Sequence, residues 1–335
     1  MIRGAQDSSF LSSIPNERII IAHELNKEGS QRKKGWSKKA EIAYSDDFFK
    51  TKKTALKDGN KFLITGNYFF AIQVEDGDPN EVTFMLSNPR YSHYMFKPIE
   101  LPSKAKKLAE NSYTILDTSE GQVFLHITQE GDKGKYGNIY NSDPTGLRYS
   151  MSLRHHVRNF DGQCDFEKVA GLEGIYFANI YDPVMVKKLK SEYNARDEIP
   201  QEKTSNRPTG SRKQFETKAT ESKSSGKRYQ NLDDYKQTRI TFDKGGIWES
   251  LTPPKKDARG KKYECEESDC ALHLHSISNQ RFGPFYSTEN SLGILLGVGN
   301  VGKYLSNRED EVATYLSRDG GKTWYEVTQV KLSAV

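Results

Sequence analysis

Ser317, Asp319, Gly321 and Trp324 fall in one short stretch, YLSRDGGKTWYEV, which offers a hydroxyl, a carboxylate and an aromatic ring close together. A carboxylate two residues from a hydroxyl could act as an acid or base, ligate a cation, or tie a turn. Recurrence decides among these. TFDKGGIW repeats the pattern as Thr241, Asp243, Gly245 and Trp248. SDPTGLRY keeps Ser142, Gly146 and Tyr149 with Pro144 at the aspartate position, and SNPRYSHYMF keeps Ser87 and Tyr94 with Pro89 there. SDDFFKTKK keeps Ser45 and Asp47 but has Phe49 where glycine stood. A catalytic aspartate would not recur in successive repeats and give way to proline in two of them. The expected role is a structural turn: Asp and Ser or Thr hydrogen-bond within it, glycine accepts positive φ, and Trp packs over the hairpin.

Other constellations fall to similar tests. Cys265, Cys270, His273 and His275 in YECEESDCALHLH are spaced for a zinc site or for a short cysteine loop beside two histidines. Against zinc, His273 and His275 share one face of a predicted strand, with Leu272 and Leu274 on the other. Cys164 stands apart, and three cysteines leave at least one thiol free or paired outside the chain. Gly297, Gly299 and Gly302 in GVGNVG fit dinucleotide-loop spacing, but the following residues lack the apolar stripe of the helix that fingerprint needs. A glycine-rich turn is expected instead. His155 and His156 in SLRHHVRNF are either surface residues or groups that titrate near endosomal pH. No sialidase-type arginine motif occurs; its nearest likeness, EIP at Glu198, lies in a polar stretch.

These residues must be positioned by strands. ERIIIAHEL, KFLITGNYFFAIQV, EVTFMLS, QVFLHITQ, EGIYFANIY, TRITFD, CALHLHSIS, GILLGVG and VATYLS are alternating or β-branched runs bounded by Gly, Pro, Asn, Asp or Ser. The best helical candidate is the short SKAKKLAENSY, and the class is all-β. Residues 187–234 are rich in Lys, Ser, Thr, Glu and Gln, and predict a disordered insertion. The net charge of +5 is concentrated there: Val186 to Lys236 holds 13 basic and 8 acidic side chains. The rest is about neutral, which argues against nucleic acid as a partner. No apolar run approaches the roughly 20 residues of a membrane span, and the N-terminus has no signal-peptide core.

The first repeat intervals, about 40 and 55 residues, suit one four-stranded propeller blade each. The repeated pattern is the Asp-box of sialidases, some glycoside hydrolases and sortilin-like vacuolar sorting receptors. CDFEKVAGLEGIYFANI, ITFDKGGIWESLTPP and the series CALHLHSIS, GILLGVGNVGKYL and ATYLSRDGGKTWYEV occur in that order. Together they resemble the luminal domain of sorting receptors of the sortilin and fungal Vps-ten type, from about Ser45 to Trp324. The resemblance implies a ten-bladed β-propeller that binds cargo in its tunnel in the Golgi lumen and releases it in endosomes.

On that resemblance, residues 1–335 form a partial propeller of five to six blades, interrupted at 187–234, with a Cys265–Cys270 disulfide. It implies a non-enzymatic chain, without cofactor or metal, that binds peptide or protein cargo such as vacuolar hydrolases. Cargo would be held by strand edges and apolar pockets, and the membrane would be reached only through regions absent from this chain. Tyr176 and Asn179 on GIYFANI, and His273 and His275 on LHLHSIS, are the candidate contacts. An Asp-box glycoside hydrolase and a purely architectural propeller segment are the alternatives.

Overall fold

The structure is a computed structural model that describes residues 9–24, 40–74, 82–88, 95–102, 108, 112–128, 136–159, 161–197, 231–264, 270–279, 281–283 and 285–328. A single helical turn, α1 (Ser9–Ser12), precedes the strands. β1 (Ile19–Glu24), β2 (Ala40–Ser45) and β3 (Lys53–Lys57) form an antiparallel three-stranded sheet. β4 (Gly59–Thr65), β5 (Tyr68–Val74), β6 (Val82–Ser87) and β7 (Lys97–Pro98) form a four-stranded meander.

Next come β8 (Tyr113–Asp117), β9 (Phe124–Thr128), β10 (Tyr136–Ser142) and β11 (Tyr149–Val157). They join β12 (Phe166–Lys168), β13 (Tyr176–Tyr181), β14 (Lys236–Thr241) and β15 (Glu249–Ser250) in one eight-stranded sheet. That sheet is two meanders touching at their margins, because β11 and β13 share one residue pair, His156 with Ile180. The last sheet contains β16 (Ala271–Leu274), β17 (Tyr286–Ser287), β18 (Leu295–Gly302), β19 (Ala313–Ser317) and β20 (Tyr325–Thr328).

Alternation along single strands shows how the meanders stack. On β5, Phe69 and Ala71 pack with Phe10, Ile42 and Leu56 of the first sheet. Tyr68, Phe70 and Ile72 face the other way, towards Leu125 and Ile127 of β9. On β13, Tyr176, Ala178 and Ile180 pack on Phe124, Ile139 and Leu153, whereas Phe177 meets Leu272, Leu295, Tyr315 and Trp324. Each central strand thus serves two successive cores, with period 2 splitting its residues between neighbours. Meanders packed face to face in chain order, each touching its neighbours, are blades of a β-propeller. Among the described residues there are five such units, the first with three strands.

Two local expectations are corrected. The insertion expected from residue 187 begins inside a helix, α2 (Pro183–Asp197), whose N-terminus Asp182 caps by accepting from the amides of Val184 and Met185. Its far end leads back through a 3-10 turn at Leu232–Tyr235, and residues 198–230 lie outside the described ones. The short helix expected over 103–113 is not formed where the chain is described: Leu108 bridges Val82 and Tyr113 opens β8.

Candidate functional site

The repeated box closes into the same hydrogen-bonded turn at three places. Ser317 Oγ donates to Asp319 Oδ1 (2.9 Å) and accepts from the Gly321 amide, while Asp319 accepts from the Thr323 amide and hydroxyl. Thr241, Asp243, Gly245 and Ile247 repeat this set without the hydroxyl donor, since Ile247 offers Asp243 only its amide, with 2.7 Å from Thr241 Oγ1 to Asp243 Oδ1. Ser45, Asp47, Phe49 and Thr51 do the same, with Phe49 held at φ 62° where the other boxes have glycine. The hydrogen bonds from Thr51 and Ser45 draw the Asp47 carboxyl down to about 2. These carboxylates spend their lone pairs on their own turns, which leaves them poorly placed for acid–base work.

The Ser142 copy differs from its reading as a box that lost its acid to Pro144. Asp143, one position earlier, accepts from the amides of Thr145 and Arg148 and from the Thr145 hydroxyl. Ser142 Oγ meanwhile accepts from the Val123 amide. Ser87 ends β6 fully buried, and residues 89–94 of its copy, Pro89 and Tyr94 among them, lie outside the described residues.

The box glycines do more than relax a turn. A Cβ on Gly146 would stand 2.7 Å from the Tyr68 ring, one on Gly245 2.8 Å from Phe124, and one on Gly321 3.0 Å from Phe177. Each aromatic belongs to the meander before the one its box closes or follows, so the turns are docking points between blades. Trp248 extends this by donating Nε1 to Ser152 Oγ of β11, at 2.9 Å. Trp324 instead donates to the Gly321 carbonyl and packs edge-on to Phe177.

The four candidate cargo contacts come together, but inside the protein. Tyr176, Asn179, His273 and His275 are all at most 2% exposed. Asn179 donates to Asp165 Oδ2 and the Leu274 carbonyl and accepts from Thr238 Oγ1. His273 Nδ1 accepts from the Thr238 amide, which leaves Nε2 to donate to the Gly302 carbonyl. His275 accepts from Asn279 and stacks on Phe282. Burial pushes both histidines down to about 4, so both are neutral. Tyr176 donates its hydroxyl to Asp117. The expectation of direct contact is therefore corrected for these side chains: β13 is packed between two meanders, and the two histidines, on and just after β16, are enclosed by their own hydrogen-bond partners and neighbouring rings.

A narrow cleft does open beside them, between β13 and β16. Asp165, Glu167, Asn179, His275 and Ser276 supply its polar wall, and Phe177, Leu274 and Phe285 its apolar one. Glu167 accepts from Ser276 Oγ (2.8 Å) and the Ile277 amide, and burial raises its carboxyl above the ordinary range. Asp165 and Glu167 are the site residues that sequence reasoning missed. Their signal was weak: two acids flanking Phe166 in CDFEKV, on a strand too short to show a pattern.

The remaining candidates are placed as follows. GVGNVG is part of strand β18 rather than a turn, and a Cβ at Gly299 would collide with the His273 carbonyl of β16, so glycine permits close strand approach. His156 is fully buried, and desolvation holds its imidazole below the ordinary range, which favours the neutral form and argues against a role as an endosomal sensor. Cys270 is disulfide-bonded, Cys164 is a free buried thiol, and Cys265 lies outside the described residues.

Compared with protein-family models, residues 3–199 and 216–333 match Sortilin-Vps10, described as sortilin, neurotensin receptor 3. The chain belongs to the Sortilin-Vps10 family. Vacuolar protein sorting/targeting protein 10 of Debaryomyces hansenii is 27% identical over 296 residues, 87% of this chain and 16% of that protein. Its namesake in Pyrenophora teres f. teres is 31% identical over 322 residues, 94% of this chain and 18% of that one. The Aspergillus fumigatus protein is 29% identical over 320 residues, with 93% and 18% covered. This Sortilin-Vps10 chain thus spans less than a fifth of the length of these relatives. Among solved structures, a GH74 xyloglucanase from Xanthomonas campestris aligns at 12% identity and a TM-score of 0.35, over 92% of this chain and 36% of that one. That likeness is too loose to bear on function.

Proposed function

We propose that this chain is a non-enzymatic, cargo-binding part of a sorting receptor that carries proteins from the Golgi to the endosome or vacuole. The observation that carries the reading is the family match over most of the chain, together with relatives named for vacuolar protein sorting and targeting. Its partners would be peptides or proteins, vacuolar hydrolases among them, met in the lumen, with no cofactor. Cys265 is the proposed partner of Cys270, in keeping with an oxidising compartment. Membrane attachment is assigned to regions outside this chain; no helix among the described residues is long and apolar enough to cross a membrane.

The proposed recognition surface is the rim of the β13–β16 cleft. Glu167 sits there, and Ile277 (45% exposed) and Tyr286 (57% exposed) follow the lining residues Ser276 and Phe285 in the chain. An extended segment could place an apolar side chain on these and hydrogen-bond to Glu167. Burial of Tyr176, Asn179, His273 and His275 favours an architectural role for those four. Immobilised chain, offered soluble vacuolar hydrolases at neutral pH, should retain a subset, and Tyr286→Ala with Ile277→Ser should lose it. Retention only by a longer protein would make this segment architectural. Hydrolysis of a sialoside or glucoside would overturn the receptor reading.

A further inference from the structure

Three side chains of types that can ligate a metal meet between the two meanders of the eight-stranded sheet. They are His126 on β9, His156 on β11 and Cys164 just before β12, and all three are buried. One donor atom from each lies within 4.8 Å of the other two. Their meeting depends on irregular backbone. The β10–β11 register shifts on either side of Ile139, and His155 takes φ 58°. That bulge lets Leu153 and His156, three residues apart, both face the core between these meanders, where regular alternation would oppose them. Across from it, Gly137 leaves room for the His126 ring: a Cβ there would stand 2.8 Å from His126 Nε2. A bridge between Arg158 and Cys164 returns the chain to the same spot.

The hydrogen bonds around the rings fix their lone pairs. His156 Nε2 lies 3.0 Å from the Asp165 carbonyl, which can only accept, so Nε2 carries the proton and Nδ1 presents a lone pair. That lone pair points at His126 Nδ1, 2.9 Å away. His126 Nε2 lies 3.3 Å from Thr128 Oγ1, a hydroxyl able to donate or accept. An imidazole held by a carbonyl behind its free nitrogen is the usual second shell of a metal-ligating histidine.

We propose that His126, His156 and Cys164 form a buried site for a tetrahedral divalent metal of the zinc type, with the fourth position open to water. On binding, Cys164 forms an S–metal bond and releases its thiol proton to solvent. His126 changes tautomer, its proton moving from Nδ1 to Nε2, where it donates a hydrogen bond to Thr128 Oγ1, and both Nδ1 atoms become ligands. Two nitrogens and one thiolate suit Zn²⁺. The ligand set leaves one positive charge; the buried Asp165 carboxylate offsets it, and Arg158 opposes it. The inference is independent of the receptor reading, since it concerns the joint between two blades.

The test is direct. The full chain, refolded with Zn²⁺ and passed through a desalting column, should retain about one zinc per chain by mass spectrometry. Co²⁺ in its place should give a thiolate-to-cobalt charge-transfer band and tetrahedral visible bands. Cys164→Ser should lose the charge-transfer band and lower zinc retention at least tenfold, whereas Cys270→Ser should keep both. On wild-type protein, a chelator should lower the melting temperature and added zinc restore it. Folded wild-type chain that retains no zinc, or Cys164→Ser with an unchanged cobalt spectrum, would overturn the proposal.

Discussion

Gly245 lies against Phe124, so near that a Cβ at Gly245 would sit 2.8 Å from the Phe124 ring and 2.8 Å from Ser152 Oγ. The glycine closes the turn after β14, whereas Phe124 opens β9, so the contact joins two blades. Gly245 also holds φ 83°. Gly260 has nearly the same φ, 82°, but a Cβ there would meet nothing within 4 Å. The pair separates backbone strain from docking. Gly260→Ala should cost about 1–2 kcal/mol, the strain of a left-handed residue alone. Gly245→Ala should cost about 1–3 kcal/mol more, through overpacking against Phe124. Urea midpoints of the two variants measure the difference, and equal losses would confine the box to its own hairpin.

Asp47 offers a pH signature for the turn. Its folded carboxyl sits at about 2, below the ordinary 3.8, because the Thr51 amide and hydroxyl and the Ser45 hydroxyl hold the charged form. A depressed carboxyl stabilises the fold above its unfolded pKa, and that contribution is lost as pH falls from about 4 to about 2. The urea midpoint of wild type should fall over that window. Asp47→Asn should fall less steeply, since the group no longer titrates, and parallel curves would remove Asp47 from the acid limb.

Legibility in the sequence follows burial. β5, β9, β13 and β19 are readable because apolar side chains fill one or both faces. β10 and β11 are not, because Asn138 and His156 are buried polar groups held by hydrogen bonds, and apolar patterning does not register them. The helix α2 reads as part of a polar insertion because Lys187, Lys188 and Lys190 crowd its first turns. Its start is nevertheless signalled, by Asp182 before Pro183, an N-cap followed by the residue best suited to the first helical position. The box turns are legible as repeats, but their docking on Tyr68, Phe124 and Phe177 is not, since contacts between blades have no fixed spacing along the chain. The same holds for Asp165 and Glu167, and for the meeting of His126, His156 and Cys164.

His273 and His275 should make the joint between β14 and β16 sensitive to acid. Burial holds both near 4 in the folded protein, against an ordinary value of 6.5. The unfolded chain therefore binds more protons between these values, and stability declines as pH falls from about 6.5 towards 4. At full effect each histidine contributes up to about 3 kcal/mol of that decline. His273→Asn and His275→Gln should reduce the loss between pH 7 and pH 5 in urea midpoints, even where they lower stability at pH 7. A wild-type midpoint unchanged over that range would show that neither histidine is neutral and buried in the folded state.

The cysteines should respond in three steps. Cys164 is 6% exposed, and burial pushes its thiol up to about 12, so the folded chain holds it as an unreactive thiol. Cys270 is disulfide-bonded, and Cys265 is its proposed partner. Intact mass after alkylation should therefore show no adduct on the native chain. One adduct should appear after denaturation without reductant, and three after denaturation with it. Bound zinc at Cys164 would leave this order unchanged, because denaturation releases the metal. A single adduct on the native chain would expose Cys164 and dissolve the tight packing between β11 and β12. Three adducts without reductant would remove the disulfide, and with it the main chemical support for a luminal location.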